Sequence, residues 1–229
     1  MNSSPPSTAE ATVRVAIVDD HTMMREGMRM FVDSLEGFRC LWQAQSTREA
    51  IGLAETNPPD ILIVDISLPD RSGLELIKDL AAKNEEIRTL VVSMHDEKLY
   101  ALRALKAGAK GYVMKNAPHQ LMEAALRRVA SGGIAVSAAV SEMVMGAYSA
   151  GAKPRPDEGL HTLSDREFEV FQMIGEGLGS SEISERLSIS PKTVDVHRMN
   201  IRNKLGLADG PALTRWAIRW TETRRHTGE

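Results

Sequence analysis

The chain has one cysteine, Cys40, in its 229 residues, so no internal disulfide can form and no CxxC pair offers a zinc site. Cys40 lies in an apolar stretch and reads as a buried, inert thiol. No apolar run approaches the roughly 18 residues that a membrane span requires. The opening MNSSPPSTAEAT has neither the basic segment nor the apolar core of a secretion signal, and residues 1–11 read as a disordered tail. Internal repeats are absent, which sets aside solenoids and propellers. By exclusion these gaps place the chain in the cytoplasm, with no membrane partner.

What is present suits soluble globular structure, with 42% hydrophobic and 26% charged residues. The length is that of two domains. The net charge of −3 is unevenly spread. Between positions 190 and 225, Lys192, Arg198, Arg202, Lys204, Arg215, Arg219, Arg224 and Arg225 face only Asp195, Asp209 and Glu222. The remainder is strongly acidic. A basic end on an acidic body separates a part that meets polyanions from a part that does not.

The first half alternates short β-type runs with amphipathic stretches. Val13–Val18, Ile61–Val64, 89–92 and Gly111–Met114 are apolar runs, and Phe38–Ala44 is the least regular. Helical patterns fall near 22–34, 48–56, 73–83, 97–107 and 118–131. Continuous apolar strands belong to a parallel sheet covered on both faces. The predicted fold is therefore α/β, a five-stranded doubly wound parallel sheet with right-handed crossovers. After Gly132-Gly133 a helix is expected over 138–148, then a Gly- and Pro-rich linker at 149–161. From Leu163 onward the pattern is helical throughout.

Ligands of doubly wound sheets bind beyond the carboxyl ends of the strands. Asp19-Asp20 follow the first strand, Asp65 the third, Ser93 ends the fourth, and Lys115 follows the fifth. Three carboxylates, a hydroxyl and an ammonium are thus expected on one sheet edge. Clustered carboxylates repel one another unless a cation joins them, and an oxygen-preferring ion such as Mg²⁺ fits. Asp65 is then a nucleophile toward a phosphoryl group, with Mg²⁺ and Lys115 offsetting developing charge.

VDD at 18–20, VDISLPDRSGLE at 64–75, VSMH at 92–95 and GYVMK at 111–115 resemble the receiver domain of bacterial two-component response regulators. DDH at 19–21, with Arg25 and Gly27, is similar to the NarL/FixJ subfamily. The resemblance implies a flavodoxin-like receiver over 12–132, phosphorylated on Asp65 by a histidine kinase. Asp19, Asp20, Asp65 and the main-chain carbonyl of Ser67 would hold Mg²⁺. Lys115 and Ser93 would grip the phosphoryl group, and the rotamer of Tyr112 would report it. His95 would lie where a side chain reaches the water that attacks the aspartyl phosphate. The chain would be a phospho-acceptor rather than an enzyme, with autophosphorylation from phosphodonors and self-dephosphorylation expected. A dehalogenase-like phosphatase would need a carboxylate two residues after the nucleophile, where Ser67 stands.

The second half has its own punctuation. Ser164 and Glu167 form a capping-box pattern that opens a helix ended by Gly177 and Gly179. Ser180 or Ser181 caps a short helix over 182–187, and a turn at 188–190 leads through Pro191 into a helix over 192–205. Two helices with a tight turn make a helix-turn-helix, whose second member enters the major groove. Val194, Ile201 and Leu205 share its inward face, with His197 beside them. The segment from Leu163 to Trp220 resembles the LuxR-type helix-turn-helix, most specifically in GLGSSEISERLSISPKTVDVHR.

That resemblance implies double-stranded DNA as partner of a domain over 162–224, joined to the receiver by a linker over 133–161. The DNA-binding set would be Lys192, Thr193, Asp195, Val196, Arg198, Met199, Arg202 and Lys204. Base contacts fall on Asp195, Val196 and Met199, two of which depart from the family's common basic residues. A helix over 210–221, with Leu213, Trp216 and Trp220, is expected to support a homodimer on phosphorylation.

Overall fold

The computed structural model describes residues 12–149 and 159–226. The expected tail at 1–11 and residues 150–158 of the expected linker lie outside the described residues. The chain divides into two compact units between Gly146 and Ala147.

The first unit is built on five parallel strands in the order β2-β1-β3-β4-β5. They are β1 (Val13–Val18), β2 (Phe38–Ala44), β3 (Ile61–Val64), β4 (Arg88–Ser93) and β5 (Gly111–Met114). The helices after them are α1 (Thr22–Ser34), α2 (Thr47–Thr56), α3 (Gly73–Lys83), α4 (Glu97–Ala107) and α5 (His119–Ala130). This is the expected doubly wound sheet. All four residues of β3 are buried, as a central strand covered on both faces requires. β2 is a sheet edge with its middle half-exposed, and its register with β1 shifts between Val15 and Ala16. That position accounts for its irregular pattern, because solvent on an edge relaxes the demand for apolar residues.

Val15, Ile17, Ile61, Ile63, Leu90 and Val92 form one core with Leu126 and Val129 of α5. The strands end in register, Val18 beside Val64 and Val64 beside Val91. The main-chain ladder runs one residue further, with Asp65 N–H donating to Val18 O (2.9 Å) and Lys115 N–H to Ser93 O (2.8 Å). The strand-end residues are therefore held by backbone bonds.

Past α5 the chain returns to the sheet. Ala135 pairs in parallel with Gly111 at the β5 edge, where Tyr112 N–H donates to Ala135 O (2.8 Å). A β-carbon on Gly111 would lie 2.6 Å from the Ala135 carbonyl oxygen, so only glycine admits this approach. The first part of the expected linker thus packs as part of the receiver unit. Helix α6 (Ala138–Ser149) follows, and Ser137 Oγ donates to Glu97 Oε1 of α4 (2.8 Å). Cys40 is half-buried rather than buried, and mainly desolvation pushes its thiol up to about 11.

The second unit opens with a 3-10 turn (Leu160–Thr162), followed by α7 (Asp165–Gly175), α8 (Ser180–Arg186), α9 (Pro191–Lys204) and α10 (Gly210–His226). The Ser164–Glu167 capping box is present. Helix α8 starts earlier than expected, with Gly179 at its N-cap, because the Glu182 carboxylate reaches back to the Gly179 N–H (2.8 Å). Ser190 caps α9 by accepting from Thr193 N–H (3.1 Å), and Pro191 occupies the first turn. Phe168, Val170, Phe171, Ile174, Ile183, Val194 and Ile201 are buried.

Candidate functional site

The carboxylates expected at the strand ends do meet. Ligand atoms of Asp19, Asp20, His21 and Asp65 all lie within 4.8 Å of one another. Lys115 is buried among them, its Nζ 2.7 Å from Asp19 Oδ2 and 2.7 Å from Asp65 Oδ2. Desolvation works against the ammonium, but the Asp65 and Asp19 carboxylates outweigh it and raise the Lys115 pKa. Asp65 Oδ1 is buried with no hydrogen-bond partner. One oxygen of Asp65 is therefore neutralised, and the other keeps its lone pairs free. A buried carboxylate oxygen without a partner is costly, and a hard cation or an added phosphorus would relieve that cost. The oxygen-rich donor set and this orphaned atom fit Mg²⁺.

Around this centre the backbone is tightly held. Arg25 Nη1 donates to the Asp19 carbonyl (2.6 Å), and the His21 N–H donates to Asp19 Oδ1 (2.9 Å). His21 Nδ1 lies 2.7 Å from Asp20 Oδ1. Ser67 is exposed, and its hydroxyl lies 2.9 Å from His95 Nε2, bridging the loops after β3 and β4. Burial lowers the His95 pKa, which favours the neutral ring.

Ser93 and Tyr112 converge on the backbone of one residue, His95. Ser93 Oγ accepts a long hydrogen bond from His95 N–H (3.4 Å), and the Tyr112 hydroxyl donates to His95 O (2.7 Å). Tyr112 is buried, and desolvation raises its pKa. Both residues expected to sense the phosphoryl group thus already hold the segment between β4 and α4.

Two further contributors escape a reading of strand ends. Asp70 accepts from Thr47 N–H (3.0 Å), Thr47 Oγ1 (2.7 Å) and Arg48 N–H (2.9 Å), tying the loop after Asp65 to the start of α2. Burial pulls its carboxyl upward, yet these bonds prevail and the pKa is lowered. Gly73 opens α3 against the main chain of Asp65, where a β-carbon would collide with the Asp65 carbonyl oxygen. The glycine in the segment DRSG was the available signal.

In the second unit, α8 and α9 form the expected helix-turn-helix around Ser188, whose φ of 51° makes the sharp turn. Val194 and Ile201 point inward and are fully buried. Lys192, Thr193, Asp195, Val196 and Met199 are exposed. Two of the basic residues have partners of their own. Arg198 donates to Thr214 Oγ1 (3.3 Å), and Lys204 Nζ lies 2.6 Å from Glu167 Oε2. Arg202 is half-buried.

Leu213, expected at a dimer contact, lies inside its own unit. It is 1% exposed, so it has no surface to offer a second copy. Trp216 packs on Phe171, and Trp220 on both Phe168 and Phe171, leaving each indole only partly accessible.

Comparison with known proteins agrees with both halves. The response regulator receiver domain matches residues 15–127, and the family of bacterial regulatory proteins of the luxR type matches residues 161–217. The response regulator UvrY of Escherichia coli (strain K12) is 30% identical over 207 residues, covering 90% of this chain and 94% of UvrY. The oxygen regulatory protein NreC of Staphylococcus aureus is 31% identical over 211 residues, covering 90% and 97%. The structure of RcsB from Salmonella enterica serovar Typhimurium, bound to promoter P1flhDC in the presence of the phosphomimetic BeF3−, has a TM-score of 0.60. Its identity is 25%, with 90% of this chain and 98% of that chain covered. An acidic pocket at the strand ends of a doubly wound sheet, with a helix-turn-helix unit after it, is the arrangement of a response regulator. The chain belongs to the NarL/FixJ family of response regulators, with a receiver domain and a LuxR-type DNA-binding domain.

Proposed function

We propose that Asp65 accepts a phosphoryl group from a histidine kinase and that this modification controls sequence-specific binding to double-stranded DNA, and thereby transcription. The observation that carries the reading is the asymmetry of Asp65, with Oδ2 on Lys115 and Oδ1 buried and unpartnered. Oδ1 attacks phosphorus, the bond from phosphorus to the kinase imidazole nitrogen breaks, and that nitrogen leaves with the electron pair. Lys115 then follows the charge onto the phosphoryl oxygens. Asp19, Asp20, Asp65 and the Ser67 carbonyl would hold Mg²⁺, which supplies neutralisation of charge developing on the transferred group. Small phosphodonors serve the same site, and hydrolysis of the acyl phosphate resets it.

Ser93 links chemistry to shape. Turning its hydroxyl toward a phosphoryl oxygen weakens its hold on the His95 N–H and leaves the Tyr112 bond to the His95 carbonyl and the Ser67 contact with the ring. Phosphorylation promotes a homodimer that spans two half-sites about one helical turn apart. The partly accessible edges of Trp216 and Trp220, rather than Leu213, are the α10 surfaces available for it. A protein working on DNA beside a cytoplasmic kinase domain resides in the cytoplasm.

Incubation with acetyl phosphate and Mg²⁺ should add one phosphoryl group to the wild type and none to Asp65→Ala, read by intact mass and phosphate-affinity electrophoresis. Gel shifts with and without the donor should differ for the wild type alone. Equal phosphate uptake by Asp65→Ala would sink the assignment.

A further inference from the structure

The outer face of α9 is unusual for a surface that meets a polyanion. Val194 and Ile201 fix its inward direction, so Lys192, Val196, Met199 and Asn203 project opposite, with Asp195 on the flank. Near the N-terminal end, the part of such a helix that reaches base edges, the exposed Lys192 and Thr193 are followed by Asp195, Val196 and Met199. Val196 is 44% exposed and Met199 47%, large apolar side chains left uncovered by the unit's own fold. The Asp195 carboxylate is tied across to the first turn of α8, where Ser180 Oγ donates to Asp195 Oδ1 (2.9 Å). Arginine-to-guanine recognition is unavailable from these three positions, because none carries a donor.

We propose that the half-site is read through pyrimidines: Asp195 accepts from the N4 amine of one cytosine, and Val196 and Met199 pack on a thymine methyl beside it. Only cytosine offers the major groove an amine without an adjacent purine N7, and only thymine offers a methyl group. A carboxylate among phosphates also repels any site lacking that amine, so Asp195 works by rejection as much as by attraction. Ser180 matters because it holds one carboxylate oxygen and leaves the other to face the groove. Lys192 and Arg202 supply phosphate contacts without sequence information. The inference rests on the DNA-binding reading above and adds the bases to it.

The test is selection from a randomised duplex pool by the full-length chain, treated with acetyl phosphate and Mg²⁺, for wild type, Asp195→Ala and Met199→Ala. The wild type should select a motif with a fixed cytosine and a nearby thymine. Asp195→Ala should lose the cytosine while keeping the rest, and its affinity for the wild-type motif should fall roughly fivefold or more. Replacing the selected thymine by uracil, which lacks the methyl, should weaken the wild type more than Met199→Ala, which keeps only the Val196 contact. Identical motifs for wild type and Asp195→Ala, or a fixed guanine in the place of the cytosine, would overturn the pyrimidine assignment while DNA binding itself stands. Failure of the wild type to enrich any motif would overturn both readings.

Discussion

The two oxygens of Asp65 have different surroundings, one held by Lys115 and the other buried without a partner. Three carboxylates share one positive side chain, so a divalent cation should stabilise the first unit by mass action. At a hundredfold excess over its Kd the gain is about 2.7 kcal/mol. Thermal melts with Mg²⁺ and with chelator should show the shift, and Asp65→Asn or Asp20→Asn should shrink it. Glu167 offers a separate check in the second unit. Burial raises its pKa, but the Lys204 ammonium and the Ser164 N–H prevail and lower it. A lowered folded-state value means that the stabilisation is present above the unfolded value and lost as pH falls through the folded one. Urea midpoints followed from about pH 6 to about pH 3 should fall, and Glu167→Gln should flatten part of that slope. The meeting of Asp65, Lys115 and the acidic neighbours was legible because each stands at a strand end. Asp70 was not, because its three bonds reach back to Thr47 and Arg48, more than twenty positions away.

At the scale of elements, the helices begin where local chemistry says they should, and the surprises come from neighbours. Helix α3 starts at Gly73 because its first turn lies against the Asp65 main chain, an approach that excludes a side chain. Gly73→Ala should therefore destabilise the first unit by roughly 1–3 kcal/mol through overpacking, and displace Asp65 as it does so. Chemical denaturation would give the first effect, and a slower rate of acetyl-phosphate labelling the second; a variant with wild-type stability and labelling would contradict this packing. Helix α10 shows the limit of a helical wheel. Its apolar stripe of Leu213, Trp216, Ala217 and Trp220 has the same pattern whether it faces a second copy or the unit's own Phe168 and Phe171; Leu213 and Ala217 are buried, and the two tryptophans pack on those phenylalanines with part of each left accessible. The return of Ala135 to the β5 edge was hidden for a similar reason, since a single parallel bridge has no periodicity of its own.

Across the whole molecule, a receiver unit and a helix-turn-helix unit are distinct compact bodies, and the basic excess is confined to residues 190–225 of the second. Affinity for DNA should fall steeply with salt, and the slope of log K against log salt should lose about 1 when Lys192 is replaced by alanine. Lys204→Ala should instead cost stability, because its ammonium is committed to Glu167. Fluorescence anisotropy over a salt series, beside unfolding curves for each variant, separates the two. An equal loss of slope for both would show that Lys204 leaves Glu167 to meet phosphate.

Sequence alone determined the order of strands and helices, the strand-end cluster of Asp19, Asp20, Asp65, Ser93 and Lys115, and the helix-turn-helix with its capping box. Each of these follows from local periodicity, from a turn residue, or from the rule that parallel strands end on one edge. Tertiary structure decided which Asp65 oxygen is free, that Ser93 and Tyr112 both hold the backbone of His95, that Leu213 is core and that Lys204 is paired. Those outcomes depend on groups far apart in the chain competing for the same atoms, and only packing settles such a competition.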